Sequence, residues 1–143
     1  MGISTFPAAS AASKTRYVET LTSGTSWTVP AGCTYVNATL FGGGAGGGSS
    51  AGQFGANGQR IATKVTTTPG ASITYAIGAG GGSNTAGGST TFTGATTAVG
   101  GIAYNAGGAG TTGGAGAGSQ GGFSTPTANG SGAAGKIELE YWL

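Results

Sequence analysis

Several short stretches of this chain carry residue types and spacings that could do chemistry. GSSAG at 48–52 has the GxSxG spacing of a hydrolase nucleophile, but a serine there needs a general base, and the sequence contains no histidine. GGGAGG at 42–47 matches the dinucleotide pattern GxGxxG and follows a strand-like run. That pattern needs a helix to receive the pyrophosphate and an acidic residue for the ribose. No amphipathic helix follows, the chain has no aspartate, and no glutamate occurs between Glu19 and Glu138. GSGAAGK at 130–136 has phosphate-loop spacing, yet Ile137 stands where Ser or Thr would hold magnesium, and the run enters a strand. Glu138 and Glu140 share one strand face about 7 Å apart, but Lys136 on the same face makes a solvated charge stripe a simpler account than a glycosidase pair. With one cysteine and no histidine or aspartate, the common metal sites lack ligands. The expectation is a non-enzymatic protein with no catalytic residue, no metal and no cofactor.

The elements that would position any site are short and β-like. Residues 1–15 are small and polar, and read as an extended attachment arm ahead of one domain at 16–143. RYVETLT and TSWTV flank Ser23-Gly24 and predict a hairpin, with a second turn at Pro30-Ala31-Gly32. In TYVNATLF, alternation sets Val36, Ala38 and Leu40 on a core face, opposite Tyr35, Asn37, Thr39 and Phe41. Ile61, Thr63 and Val65 form a similar face, as do Ile73, Tyr75 and Ile77, and Thr68-Pro69-Gly70 between them predicts another hairpin. KIELEYW at 136–142 places Ile137, Leu139 and Tyr141 inward, and weaker strands are expected at 89–93 and 97–104. No run has a helical period. The fold class expected is all-β, a sandwich or open barrel of short antiparallel strands with long glycine-rich loops.

Composition narrows the setting. The chain has 34 glycines in 143 residues, where average usage near 7% would give about 10. Ordering that much glycine costs more backbone entropy than ordering other residues, so dense hydrogen bonding or partner chains must compensate. Only 6% of residues are charged, and the net charge of +2 comes from scattered Lys14, Arg16, Arg60, Lys64 and Lys136 against Glu19, Glu138 and Glu140. Without a basic cluster no nucleic acid is expected as a partner. The absence of a long apolar run predicts no membrane insertion, and the N-terminus lacks the pattern of a signal peptide. Cys33 reads as a small buried hydrophobe.

The glycines also have a period. Gly43, Gly46, Gly52, Gly55 and Gly58 fall on every third position with Ser49 interrupting; so do Gly78, Gly81 and Gly87 around Asn84, and Gly107, Gly110, Gly113, Gly116 and Gly122 around Ser119. Three residues per turn is the repeat of an extended left-handed helix, in which a glycine on one edge lets another backbone approach. Flexible loops dense in glycine are the other reading. Collagen is excluded because the tracts are short, contain no proline and sit between strands.

WTVPAGCTYVNATLFGGGAGGG, GQRIATKVTTTPGASITYAIGAGGG, GGSTTFTG and the closing AAGKIELEYW follow one another in an order that resembles the glycine-rich domain of many phage tail fibres and related minor tail proteins. The resemblance covers about residues 16–143. The tracts also look like those of larger glycine-rich adhesins at fibre tips. It implies a module of the virion tail, made in the host cytoplasm, which joins other virion proteins through its N-terminal arm. The implied partner is a host-surface glycan or outer-membrane protein, and a homo-oligomer is expected, with a trimer favoured. A purely structural tail or capsid component without receptor contact is the alternative. Receptor-contact candidates are the large or amide side chains within the glycine tracts: Phe54, Asn57, Asn84, Tyr104, Asn105, Gln120 and Phe123. The competing role for Phe54, Tyr104 and Phe123 is to plug a small core. Trp27 and Trp142 are assigned to packing.

Overall fold

Each apolar-alternating run becomes a strand, and the pairing among them differs from simple hairpins. The computed structural model describes residues 13–48, 55–103 and 130–143. Within them lie β1 (Arg16–Leu21), β2 (Ser26–Thr28), β3 (Tyr35–Phe41), β4 (Arg60–Thr66), β5 (Ser72–Ala76), β6 (Thr91–Phe92) and β7 (Lys136–Trp142), with no helix. They form two antiparallel sheets, ordered β1-β7-β3-β4 and β2-β5-β6, in an open sandwich-like arrangement.

The C-terminal strand is central, not peripheral. β7 pairs with β1 through Leu21 and Ile137, and with β3 through Ala38 and Leu139. Its inward side chains are accordingly buried, with Ile137 and Leu139 fully so. Val36, Ala38 and Leu40 occupy the same core, and Trp27, Tyr75 and Phe92 of the smaller sheet face them across it. The alternation in the sequence thus identifies the core side of β3 and β7 correctly.

Both expected hairpins are corrected. β1 pairs with β7 and β2 with β5, so the turn at Gly24, at φ 94°, passes the chain between sheets. β4 pairs with β3, and β5 pairs with β2 and β6, so the turn at Gly70 also changes sheet. The physical reason is visible at the turn. Val29 N–H donates to Ala71 O, and Gly70 N–H donates to Val29 O, both at 2.9 Å. These bonds tie the turn to the end of β2 and deliver Val65 and Tyr75 to the core from opposite layers. The run at 97–104 contributes only an isolated bridge, Thr90 to Ala98, because its glycines join a different assembly.

Beyond the sandwich the backbone becomes threefold. Along 42–47 the N–H donors rotate among three neighbours. Gly42 and Ala45 donate to Gln59 and Ala56, Gly43 and Gly46 to Gly88 and Thr85, and Gly44 and Gly47 to Ala133 and Gly130, at 2.8–3.0 Å. Every third residue addresses the same partner, as a three-residue helical turn requires. Two more neighbours donate inward: Gly101 to Gly43 O, and Gly81 and Asn84 to Gly44 and Gly47 O. The neighbours also bond to one another, from 55–59 to 98–102, 85–88, 78–82 and then 130–135. The described tracts are therefore an ordered polyglycine II-like bundle.

The described period-three glycines are among the close contacts of this bundle. Gly43, Gly46, Gly55, Gly58, Gly78, Gly81 and Gly87 each have a backbone carbonyl where a Cβ would stand. Thr90 joins bundle to sandwich: fully buried, it donates from Oγ1 to Phe41 O at 2.7 Å and accepts from Gly78 N–H at 2.9 Å.

Candidate attachment surface

The bundle turns the chain back on itself at one end. The tract 42–48 continues from β3 away from the sheet, and 55–59 returns into β4. Tract 78–82 follows β5 outward and 85–89 returns toward β6, while 98–103 runs outward and 130–135 returns into β7. Outgoing and returning tracts alternate around the central one, so the ends distal to the sandwich converge. Gly47 N–H reaches Gly130 O there at 2.8 Å, and Asn84 N–H reaches Gly47 O at 2.8 Å. The chain leaves this end after Gly48 and Ala103 and is met again at Gly55 and Gly130.

The 82–85 turn is described throughout. Thr85 N–H closes onto Gly82 O at 3.0 Å, and Asn84 sits between at φ 54°. Asparagine tolerates that left-handed conformation better than most side chains. Asn84 is exposed at the distal end. Asn57 is exposed on the returning tract, and its polar groups have a partner. Phe54, Tyr104, Asn105, Gln120 and Phe123 lie outside the described residues.

Sequence reasoning missed two apolar side chains of the bundle. Val99 and Ile102 are 55% and 59% exposed despite their type. They stand three apart in one tract, which at three residues per turn puts them on the same edge. That spacing was available in the sequence and was hidden by reading 97–104 as a strand.

Among the described residues, two ion pairs lie on the outer face of the sandwich. Glu138 bonds Lys136 at 2.6 Å, and Glu140 pairs with Arg16. The Arg16 hydrogen bond holds the Glu140 carboxyl below its ordinary value. Each carboxylate having its own cation fits a charge stripe better than an acid–base couple. Phe41 is covered by two cations, Lys136 at 4.8 Å and Arg60 at 5.7 Å from the ring centroid, and Lys64 lies 4.1 Å over Tyr35. Trp142 packs against Tyr35 on this outer face, with centroids 5.9 Å apart. Trp27 is buried and donates from Nε1 to Glu19 Oε2 at 3.0 Å, while Glu19 Oε1 accepts from the Tyr141 hydroxyl. Burial, then the Glu19 contact, pushes the Tyr141 phenol up to about 12.

A family model described as a glycine-rich domain matches residues 20–141. The match takes in β2 to β6, every described glycine tract, the last two residues of β1 and all but the last residue of β7. Comparison with curated proteins finds no match.

Proposed function

The chain belongs to the glycine-rich domain family, and from that premise we propose that it is a non-catalytic virion module of a phage tail fibre or tail tip. It attaches to a host-surface glycan or outer-membrane protein through loops displayed at the distal end of the polyglycine bundle, and joins its virion partners through residues 1–15. The observation that carries this reading is the convergence of three out-and-back excursions on one end of a hydrogen-bonded scaffold. Fixed scaffolds that gather several loop ends are the usual way a fold concentrates recognition in variable segments. The resemblance of its ordered motifs to those of tail-fibre domains supports the same reading.

Binding of the purified chain to host cells tests it. Changing Phe54, Tyr104 and Phe123 together to Ala is expected to abolish cell binding with the melting temperature retained. Undiminished binding by that variant sinks the contact assignment. A wild-type chain that assembles into particles yet never binds cells sinks the attachment role in favour of a structural one.

A further inference from the structure

The larger sheet ends in two edges, β1 and β4, and they are built differently. Thr15 and Leu143 exchange backbone hydrogen bonds in both directions, at 2.8 and 3.0 Å. In an antiparallel pair such exchanges recur at every second residue, so Tyr17, Glu19 and Leu21 turn their N–H and C=O toward β7. Arg16, Val18 and Thr20 turn theirs the other way, onto an edge where no described strand lies. This edge is open to solvent. Val18 is 56% and Tyr17 42% exposed, and Arg16 and Thr20 are exposed beside them.

Proteins ordinarily blunt a sheet edge with shortness, proline, a bulge or a lysine, because an unpaired strand is a template for another. β2 and β6, the edges of the smaller sheet, are three and two residues long. β4 presents exposed Arg60 and Lys64, and neither has a carboxylate partner, because Glu19, Glu138 and Glu140 are all engaged elsewhere. β1 has none of these devices. It keeps unbroken register with β7 over six residues, contains neither proline nor lysine, and its Arg16 is neutralised by Glu140. Its other charge, Glu19, is turned inward to Trp27 and Tyr141.

We propose that β1 is the pairing edge for a second copy of this chain, which adds its own β1 antiparallel about a two-fold axis through Val18. The two four-stranded sheets then become one. That register sets Val18 against the partner's Val18 and Arg16 against the partner's Thr20, so every outward N–H of the strand finds a carbonyl. An axis through Glu19 would oppose carboxylate to carboxylate, and one through Tyr17 would pair Thr20 with Lys14, outside the strand. Charge agrees with the choice. Thr20 neighbours Glu138 on β7, so each Arg16 approaches the acidic side of the other copy on the outer face. On the inner face Tyr17 comes opposite the partner's Glu19. Contact between identical edges is self-complementary and closes at two. The inference goes beyond the attachment reading and does not rest on it: it gives a homo-oligomer two-fold symmetry in place of the expected threefold.

Sedimentation of the full chain over a dilution series tests it. A concentration-dependent dimer is expected. Val18→Lys sets ammonium against ammonium at the axis and should be monomeric where the wild type is dimeric. Ala62→Lys, the same charge placed on the β4 edge, should stay dimeric. A short bis-maleimide reads the register. Cys33 is buried, so Val18→Cys supplies the reactive thiol, with facing Cα atoms about 5.5 Å apart, and should cross-link. Thr20→Cys, set about 14 Å from its counterpart along the strands, should not. A wild-type monomer or trimer overturns the proposal. So does a Val18→Lys dimer as tight as the wild type's, or equal cross-linking from the two positions.

Discussion

In the sandwich the interior is made of side chains, whereas in the bundle it is made of backbone. Leu40, Ile137, Leu139, Val36 and Phe92 fill the first, and burying such side chains contributes roughly 1.5–3 kcal/mol each. Glycines 42–48 fill the second with one methyl, that of Ala45. Its contacts are hydrogen bonds worth about 0.5–1.5 kcal/mol net apiece, set against the highest ordering entropy of any residue. A bundle built that way gains most from neighbours already held in place. The sandwich holds them: β3 runs directly into 42–48, 55–59 into β4, and 130–135 into β7. The strands fix the register, and the glycine tracts extend it outward.

The largest effect that would break this picture comes from the sandwich side. Leu40→Ala, fully buried two residues before the bundle begins, should cost about 2–5 kcal/mol. If the sandwich holds the bundle in register, denaturation of this variant followed by far-ultraviolet circular dichroism and by amide exchange of 42–47 will give one shifted transition. Two separated transitions would mean that the bundle stands alone.

Next in size is the polar link inside the sandwich. Tyr141→Phe removes the hydroxyl that Glu19 accepts and should cost about 1.5–3 kcal/mol, the range for a hydrogen bond to a charged group. The wild-type phenol titrates in the folded chain at about 12, above its ordinary value of 10.0. A raised value means that the folded state keeps this proton longer. Its contribution is therefore whole below pH 10 and is lost as pH rises through 12. Stability against pH should fall across that window in the wild type and less steeply in Tyr141→Phe. Parallel curves would show that the phenol is not what titrates.

Much of the sandwich was legible because period-two alternation reports burial directly, and Val36, Ala38, Leu40, Ile137, Leu139 and Tyr141 all face the core. Which strands pair was not legible. Gly24 and Gly70 are genuine left-handed turn positions, but a turn residue reports a change of direction without saying which sheet receives the next strand. The glycine period was legible as spacing, while its partners depend on backbone contacts between distant segments, and no side chain marks those. Gly42, Gly101 and Gly132 make the same close approaches off the period that the sequence displays. In the bundle, the turn residue Asn84 was legible as an interruption of the tract, while the exposure of Val99 and Ile102 was not, because an apolar pair among glycines looks like a strand.

The smallest expected effect separates two uses of glycine that composition cannot tell apart. Gly46 is held by close approach, since a Cβ there would overlap the Gly82 carbonyl. Overpacking of that kind costs about 1–3 kcal/mol. Gly70 has open space around it and needs glycine only for its φ of 79°. There an L side chain costs roughly 1–2 kcal/mol, and asparagine recovers part of it through local hydrogen bonding. Thermal melts of Ala and Asn variants should therefore rank oppositely. At Gly70, Asn will melt above Ala. At Gly46, the larger Asn will melt below Ala, because no conformational gain offsets its added volume. A common ranking at both positions would mean that the bundle yields to bulk as readily as a surface turn, and that its tracts are not packed backbone to backbone.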